Sequence, residues 1–241
     1  MDASVIESGV DYGARLAATL PRVLERIAAA AEAGGRRPEA VRLIAVTKSH
    51  PLAAVEAALA AGLPDLGENR VEELEWKARA VTGRGVRWHM IGHLQRRKAA
   101  RALALADLIH SVDTVRLGER LSRLATEQDR QVRVLAQVNV SGEESKSGFD
   151  LASAADEIHR VAELPGLRVE GLMTMAPLVD DEAVLTKTFA GLRRLLESLH
   201  AGGAAVGAEL SMGMTHDLEV AVREGSTMVR IGTALFGERN R

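Results

Sequence analysis

The sequence predicts an α/β fold: a single (β/α)8 TIM-type barrel with one extra N-terminal helix. The first observation is that short apolar or β-branched runs alternate with amphipathic helical patterns from residue 41 onwards. The second is that no strand candidate leads into a G-x-G-x-x-G turn or a Walker A sequence, which disfavours the runner-up, a Rossmann-like open sheet. The third is the length of 241 residues without an internal linker, so residues 1–241 are expected to form one domain.

The predicted elements follow in order. An Ala-rich amphipathic helix over residues 13–33 stops at Gly34 and Gly35. The eight strand candidates are residues 41–47, 66–67, 86–91, 108–112, 132–140, 167–173, 209–212 and 228–231. The helical patterns between them are residues 52–61, 70–80, 95–106, 114–127, 151–163, 182–200 and 217–224, and a short helix is expected after the last strand. In a barrel of this kind the chemistry is expected at the C-terminal ends of the strands.

Composition excludes several classes of protein. Hydrophobic residues at 46% and charged residues at 27% exclude a disordered tail, a collagen-like fibre and a membrane bundle. A net charge of -2 provides no general field for nucleic acid, and the basic run at residues 96–101 is interpreted as a solvated helix face. The absence of cysteine excludes disulfides and thiolate sites and suits the reducing cytoplasm. The first thirty residues are too polar for a signal peptide or a membrane anchor.

The first apolar strand candidate ends in a lysine, Lys48. One interpretation is a partly desolvated amine with a lowered pKa, able to form a Schiff base with an aldehyde. The alternative is an ordinary surface lysine that caps a strand.

Polar residues also follow the second and third strand candidates. Glu68 and Asn69 lie where a barrel ligand would meet them, although taken alone they fit better as caps of the next helix. His89 and His93 are four residues apart across a strand-to-loop transition, so they do not share a helical face, and no third ligand cluster accompanies them. A metal site is therefore not predicted.

The last two units carry a phosphate-binding pattern. Residues 211–215 precede one helix, and Gly232 and Thr233 lead from the last strand into a short helix. Backbone N–H groups at helix N-termini, with small hydroxyl residues, form the usual phosphate site after strands seven and eight of such barrels. Each turn alone could be an ordinary tight turn. Together with Lys48 across the barrel mouth they indicate a cofactor with both an aldehyde and a phosphate, which is pyridoxal 5'-phosphate.

Eight blocks in order along the chain resemble a known family. They are LIAVTK at 43–48, GEN at 67–69, WHMIGHLQ at 88–95, HSVD at 110–113, KSGF at 146–149, GLMTMAP at 171–177, LSMGMT at 210–215 and GSTMVRIGTALFG at 225–237. These blocks are similar to the YggS/PROSC family of pyridoxal-phosphate homeostasis proteins. That family resembles the N-terminal barrel of alanine racemase, the fold-type III class of pyridoxal-phosphate proteins.

The resemblance implies roles for individual residues. Lys48 would hold the cofactor as an internal aldimine, and Arg230 would face the pyridine nitrogen. The residues implied at the phosphate or beside the ring are Thr215, Gly232 and Thr233 for the phosphate, Ser211 and Met214 on the phosphate side, and Asn69 beside the ring. An arginine does not give up its proton to the ring, so the pyridine would stay unprotonated and would be a poorer electron sink.

Three positions depart from the family pattern. Thr215 stands where the family usually has serine, which preserves the hydroxyl. Arg97 stands where an asparagine is frequent, and His216 where a small or acidic residue is typical. The roles of Arg97 and His216 are left open by the resemblance.

The resemblance favours a carrier over an enzyme. Racemisation needs two bases on opposite faces, and in alanine racemase the second is a tyrosine from a separate C-terminal domain. This chain ends eight residues after Thr233, and its one tyrosine, Tyr12, lies in the leading helix. We therefore expect a cytoplasmic, monomeric protein that binds pyridoxal phosphate reversibly and supplies it to apoenzymes, without binding nucleic acid or membrane.

Two alternatives stay open at this point. A small fold-type III enzyme, an amino-acid racemase or deaminase, could use Lys48 together with His89 or Ser111. A Schiff-base aldolase could use Lys48 against a sugar phosphate and would hold no chromophore.

Overall fold

The computed structural model describes residues 10–143 and 146–238 and contains a closed parallel barrel. Its strands are β1 (Arg42–Val46), β2 (Asp65–Glu68), β3 (Arg87–Met90), β4 (Leu108–Val112), β5 (Val132–Asn139), β6 (Phe149–Asp150), β7 (Leu167–Met173), β8 (Val206–Ser211) and β9 (Met228–Ile231). Eight of them pair in the order β4-β3-β2-β1-β9-β8-β7-β5, and pairing of β4 with β5 closes the ring. The two-residue β6 adds to the end of β5.

Helices connect the strands. They are α1 (Tyr12–Ala33), α2 (Leu52–Ala60), α3 (Val71–Ala80), α4 (Ala99–Leu103), α5 (Val115–Glu127), α6 (Ala154–Ala162), α7 (Glu182–Ala201), α8 (Leu218–Arg223) and α9 (Thr233–Phe236). Short 3-10 turns occupy Pro38–Ala40 and Arg96–Lys98. No helix among the described residues combines the length and apolar character needed to cross a lipid bilayer.

The predicted barrel and its extra N-terminal helix are confirmed. All eight strand candidates exist, and those at 108–112, 167–173 and 228–231 have the predicted bounds. The prediction that a helix covers 95–106 is too long, because a 3-10 turn precedes the five residues of α4. β8 begins three residues earlier than predicted, since Gly207 and Ala208 carry little strand signal. The short β6 was not predicted.

Alternate strand residues supply two apolar clusters, because side chains two apart share a face of the sheet. The larger cluster lies between the barrel and its helices and includes residues from Tyr12 to Phe236. The smaller one consists of Ile44, Leu108, Leu135, Met173 and Met228, with Met175 against it. The smaller cluster fills part of the barrel interior, so the barrel is a packed core and not a pore.

Helix α1 packs against the C-terminal part of the chain and forms hydrogen bonds to α9 and to the loop before α8. Arg15 donates to the carbonyl of Phe236 at 2.6 Å, and the Thr19 hydroxyl donates to that of Leu235 at 2.9 Å. Arg26 donates to the carbonyl of Thr215 at 2.9 Å and pairs with Glu219 at 2.6 Å. The extra helix therefore holds α9 and the loop before α8 in place.

The basic run at 96–101 lies on the surface beside α3. Lys98 pairs with Glu72 at 3.0 Å, and Arg101 pairs with Glu75. This arrangement agrees with the predicted solvated face.

Gly171 permits close pairing of β7 with β8. It has φ +151, and a Cβ there would lie 1.9 Å from the carbonyl oxygen of Glu209. We expect Gly171→Ala to lower the free energy of unfolding by about 3 kcal/mol or more, since strain and overpacking add. Urea denaturation would measure the loss. Gly203→Ala is the matched control: φ there is +76, but a Cβ would meet nothing within 4 Å, so its loss should be clearly smaller. Equal losses would contradict the role of the close approach.

Candidate functional site

A cavity of about 370 Å³ lies at the C-terminal ends of the strands, where the barrel predicts it. It brings together seven of the eight residues predicted from the sequence: Lys48, Asn69, Met214, Thr215, Arg230, Gly232 and Thr233. The eighth, Ser211, is fully buried and lies outside the cavity lining. The volume of this cavity falls within the usual range for small-molecule and cofactor sites.

Four neighbouring strands create this convergence. β1 pairs with β9, with Ala45 opposite Ile231, and also with β2, with Val46 opposite Gly67. The chain therefore leaves β1 towards Lys48 beside the exits of β2 and β9. β8 pairs with β9 on the far side and leads to the loop at residues 212–217.

A fully buried ion pair fixes the backbone next to Lys48. The Lys77 ammonium donates to the Thr47 carbonyl at 2.8 Å and to Glu68 Oε1 at 2.7 Å. The Thr47 hydroxyl donates to the same carboxylate oxygen at 2.6 Å. Burial raises the pKa of Glu68, although Lys77 opposes the shift. The carbonyl of Thr47, the residue before Lys48, is thus fixed by a hydrogen bond from Lys77 of α3.

The residue after Lys48 is held as well. The Ser49 N–H donates to Glu73 Oε1 at 2.7 Å, and Ser49 adopts φ 60, in the left-handed region that most residues avoid. The side chain of Lys48 is partly buried at the cavity wall. The two anchors on either side fix the direction in which the lysine leaves the strand.

Arg230 forms the floor of the cavity and is 4% exposed. Its Nη1 donates to the Ser211 carbonyl at 2.7 Å and to the Ser211 hydroxyl at 2.6 Å, and Nη2 donates to the Thr174 carbonyl at 3.0 Å. Burial lowers the pKa of Arg230 to about 10, so the side chain stays a cation at neutral pH. Ser211 therefore supports Arg230 from below, whereas the resemblance implied a place beside a phosphate.

The cavity wall formed by Met214, Thr215, Gly232 and Thr233 contains hydroxyl and N–H groups. Gly232 is the N-cap of α9, and its carbonyl accepts the N–H groups of Leu235 and Phe236, so Thr233 provides the N–H at the start of this helix that no hydrogen bond uses among the described residues. The Thr215 hydroxyl accepts the Ala234 N–H at 3.2 Å, which joins its loop to α9. The Met214 N–H donates to Asp217 at 2.5 Å. Two hydroxyls and a helix start on one wall form an environment suited to an oxyanion.

The positions that depart from the family pattern separate clearly. His216 is exposed and lines the cavity next to Thr215. Arg97 is exposed on the outer surface, where it donates to Gln95 at 3.0 Å. Only the former is placed to affect a ligand of this cavity.

Sequence reasoning missed several residues of the cavity wall: His50, His93, Gln137, Lys146, Ser147 and Met175. His50 accepts or donates a hydrogen bond with the buried Tyr12 hydroxyl at 3.1 Å. Lys146 and Ser147 belong to the polar loop after β5 and to the KSGF block of the family resemblance, but neither signal gave them a role. Lys77 gave no signal, since its spacing from Glu73 is that of an ordinary surface pair on a helix.

The residues considered for a second acid or base do not reach this cavity. His89 lines a different cavity at the N-terminal end of the barrel. Ser111 is fully buried, and its hydroxyl has no hydrogen-bond partner among the described residues. Neither side chain is placed to act on a ligand next to Lys48. Within the described ranges, no group of three or more histidine, aspartate or glutamate side chains could hold a metal ion.

Comparison with known proteins decides the family. The family described as "Alanine racemase, N-terminal domain" matches residues 20–240. The chain belongs to this family. The similarity that the eight sequence blocks predicted is confirmed at that level.

Relatives of this alanine racemase N-terminal domain protein carry a more specific description. The "Pyridoxal phosphate homeostasis protein" of Pseudomonas aeruginosa is 42% identical over 93% of this chain and 96% of the relative. The protein of the same name from Escherichia coli strain K12 is 39% identical over 93% of this chain and 97% of the relative. The similarity thus extends over almost the whole of both chains.

Solved structures agree with the fold. PipY of Synechococcus elongatus, described with pyridoxal phosphate bound, is 39% identical with a TM-score of 0.79 over 89% of this chain and 100% of that chain. Alanine racemase of Clostridium difficile is 15% identical with a TM-score of 0.74, over 92% of this chain and 56% of that chain. The racemase comparison shows the fold alone.

Proposed function

We propose that this protein binds pyridoxal 5'-phosphate reversibly through Lys48 and serves cytoplasmic homeostasis of that cofactor, with little or no catalytic turnover. The observation that carries the proposal is the convergence of Lys48, Arg230 and the Thr215–Thr233 wall on one cavity. The names of the relatives in Pseudomonas aeruginosa and Escherichia coli support it. So does the pyridoxal phosphate bound to PipY.

The donor set fits this cofactor. When bound, pyridoxal phosphate supplies an electrophilic aldehyde, an aromatic ring with a pyridine nitrogen, and a phosphate dianion. Lys48 would link to the aldehyde carbon, and the hydroxyls of Thr215 and Thr233 with the Thr233 N–H at the start of α9 would hold the phosphate. Asn69 lines the same cavity at the exit of β2, where it would contact the ring.

Arg230 supports a carrier over a catalyst. Its Nη1 uses both hydrogens on Ser211 and its Nη2 uses one on Thr174, so Nε–H and one Nη2–H remain available to a ligand of the cavity that Arg230 lines. A guanidinium that donates to the pyridine nitrogen keeps its own proton, and an unprotonated ring withdraws electrons weakly. The residue that fixes the ring therefore also limits its reactivity.

The cavity wall formed by Thr215, His216, Gly232 and Thr233, here called the proposed phosphate wall, favours exchange of the cofactor with solvent. Thr233 and His216 are exposed, and Thr215 and Gly232 are partly exposed, so the site opens directly to solvent among the described residues. A cofactor held there could leave without unfolding of the barrel. This is what delivery to an apoenzyme requires.

The first test is covalent binding at Lys48. We expect the purified protein to show the visible absorbance of lysine-bound pyridoxal phosphate, and Lys48→Ala to lose it completely. Borohydride reduction followed by peptide mass spectrometry would locate the linkage. Lys98→Ala is the control, because Lys98 pairs with Glu72 on the outer surface and should leave the spectrum unchanged. A parent that stays colourless with added cofactor would contradict the proposal and favour the aldolase.

Absence of turnover has its own test. In deuterated water, we expect no exchange at the α-carbon of alanine or other common amino acids with the loaded protein. Exchange that Lys48→Ala abolishes would favour the racemase-like alternative.

The supply role has a separate test. Transfer of the bound cofactor to an apoenzyme, followed by measurement of the activity that this apoenzyme recovers, would test it. Sedimentation would test the proposed monomer.

A further inference from the structure

A line of polar side chains crosses the barrel interior below the candidate cofactor site. The Arg230 guanidinium meets the Ser211 hydroxyl at 2.6 Å, and that hydroxyl meets His110 Nδ1 at 2.8 Å. His110 Nε2 lies 2.9 Å from His89 Nδ1, and His89 Nε2 lies 3.0 Å from Asp65 Oδ1. All five residues are at most 5% exposed. We call these five residues the axial chain.

With both histidines neutral, the two ends of the axial chain fix the direction of every hydrogen bond in it. Because an ionised Asp65 carboxylate only accepts, His89 Nε2 carries the one hydrogen of that ring and His89 Nδ1 accepts. His110 Nε2 must then donate, and His110 Nδ1 accepts from the Ser211 hydroxyl. The Ser211 hydroxyl donates its one hydrogen to His110, and its oxygen accepts from Arg230, which only donates. Each neutral histidine is thereby held in a single tautomer.

The surroundings favour these protonation states. Burial lowers the pKa of His110 well below its ordinary value, and the neighbouring His89 adds to the shift. Burial also lowers the pKa of His89, although Asp65 opposes it. Burial acts to raise the pKa of Asp65, but hydrogen bonds from Arg87 and His89 outweigh it and hold the pKa well below its usual value.

The lower end of the axial chain borders a second cavity of about 380 Å³ at the N-terminal end of the barrel. Its charged lining comprises Arg42, Asp65, Arg87, Asp107 and Arg133, with His89. Arg87 binds both oxygens of Asp65, at 2.8 and 2.5 Å. The carboxylate is thus fixed between the chain and an arginine that is itself half exposed.

We propose that Asp65, His89 and His110 are positioning residues that act through Ser211 to hold Arg230 in its orientation towards the cofactor ring. The inference rests on the proposed function. Asp65 selects the tautomers, the tautomers commit the Ser211 hydrogen to His110, and the Ser211 oxygen is thereby held as an acceptor for Arg230. A carboxylate at one end of the barrel therefore controls the group that binds the ring near the other end.

Asp65→Asn is the decisive variant, because an amide can donate as well as accept and so removes the fixed direction of the axial chain. In this variant we expect a mixture of histidine tautomers, visible in the 15N shifts of the ring nitrogens. We also expect a shifted absorbance maximum of the lysine-bound cofactor and a dissociation rate about three- to tenfold faster. Ser211→Ala, which cuts the chain directly below Arg230, should change the absorbance and the dissociation rate in the same direction.

One control separates positioning from general damage. Asp107→Asn removes a carboxylate from the same cavity outside the axial chain. This variant should retain the parent's tautomers, absorbance and release rate. If Asp65→Asn and Ser211→Ala match this control, the inference is overturned. A parent without lysine-bound cofactor would instead overturn the proposed function and the inference with it.

Discussion

Replacement of Lys77 by methionine is expected to lower the free energy of unfolding by about 3–5 kcal/mol, the range for breaking a buried ion pair. The Lys77 and Glu68 side chains are both 0% exposed and lie 2.7 Å apart. Without the ammonium, the Glu68 carboxylate loses its countercharge in a site where its second oxygen already has no hydrogen-bond partner. The Thr47 carbonyl also loses its donor. Urea denaturation with a spectroscopic probe of folding would measure the loss.

The double variant Lys77→Met with Glu68→Gln tests the cause. Removal of both charges should recover a large part of the stability, because a neutral amide costs less to bury than an unpaired carboxylate. Lys98→Met on the outer surface is the control, and its effect should stay within about 0.5 kcal/mol. A Lys77→Met protein that loses less than about 1 kcal/mol would contradict the structural role assigned to this pair.

The free energy of unfolding is expected to fall steeply as the pH drops below about 6.5, the ordinary pKa of histidine in an unfolded chain. His89 and His110 are neutral in the fold because burial lowers the pKa of each. Below pH 6.5 the unfolded chain binds protons at these two sites that the folded chain does not bind, so acid favours unfolding. Two such protons give a slope approaching ~2.7 kcal/mol per pH unit, which persists until the folded histidines themselves protonate.

Urea denaturation at a series of pH values between 7 and 5 would measure this slope. His110→Asn should reduce the slope by about half, whatever its effect on stability at neutral pH, because one of the two linked protons is removed. His159→Asn provides the control, since His159 is exposed on α6 and should leave the slope unchanged. Stability that is independent of pH over this range would show that the two histidines are not held neutral.

The barrel was predictable because its strands carry local signals. β4, β7 and β9 are short, mostly apolar or β-branched runs, and the structure gives them the predicted bounds. The place of Lys48 at the cavity was predictable only in combination, because a lysine after β1 taken alone fits an ordinary surface residue, whereas glycines and hydroxyls at two later strand ends add a second signal at the same end of the barrel. Arg230 and Asn69 depended on the family resemblance, because composition and spacing alone gave them no definite role.

The axial chain could not be predicted from local patterns. His110 and Ser211 are 101 residues apart, and their contact depends on closure of the barrel and on the stagger between its strands. His89 attracted attention as one of two histidines four residues apart and as a candidate second acid or base, but it lines the cavity at the opposite end of the barrel from His93. Lys77 was hidden for a different reason: burial of a lysine is decided by the tertiary packing of its helix, which a spacing of four residues does not reveal.

The pairing of β1 with β9 makes the candidate cofactor site a junction between the two ends of the chain. Lys48 is synthesised early, whereas Thr215, Arg230 and Thr233 emerge only with the last units, and α1 completes the junction by holding α9 and the Thr215 loop. A nascent chain on the ribosome would therefore possess the proposed lysine anchor long before it possesses the other groups of the proposed site. If the proposed site holds the cofactor, tight binding would require a closed barrel, and a bound cofactor would mark a fully translated and folded molecule.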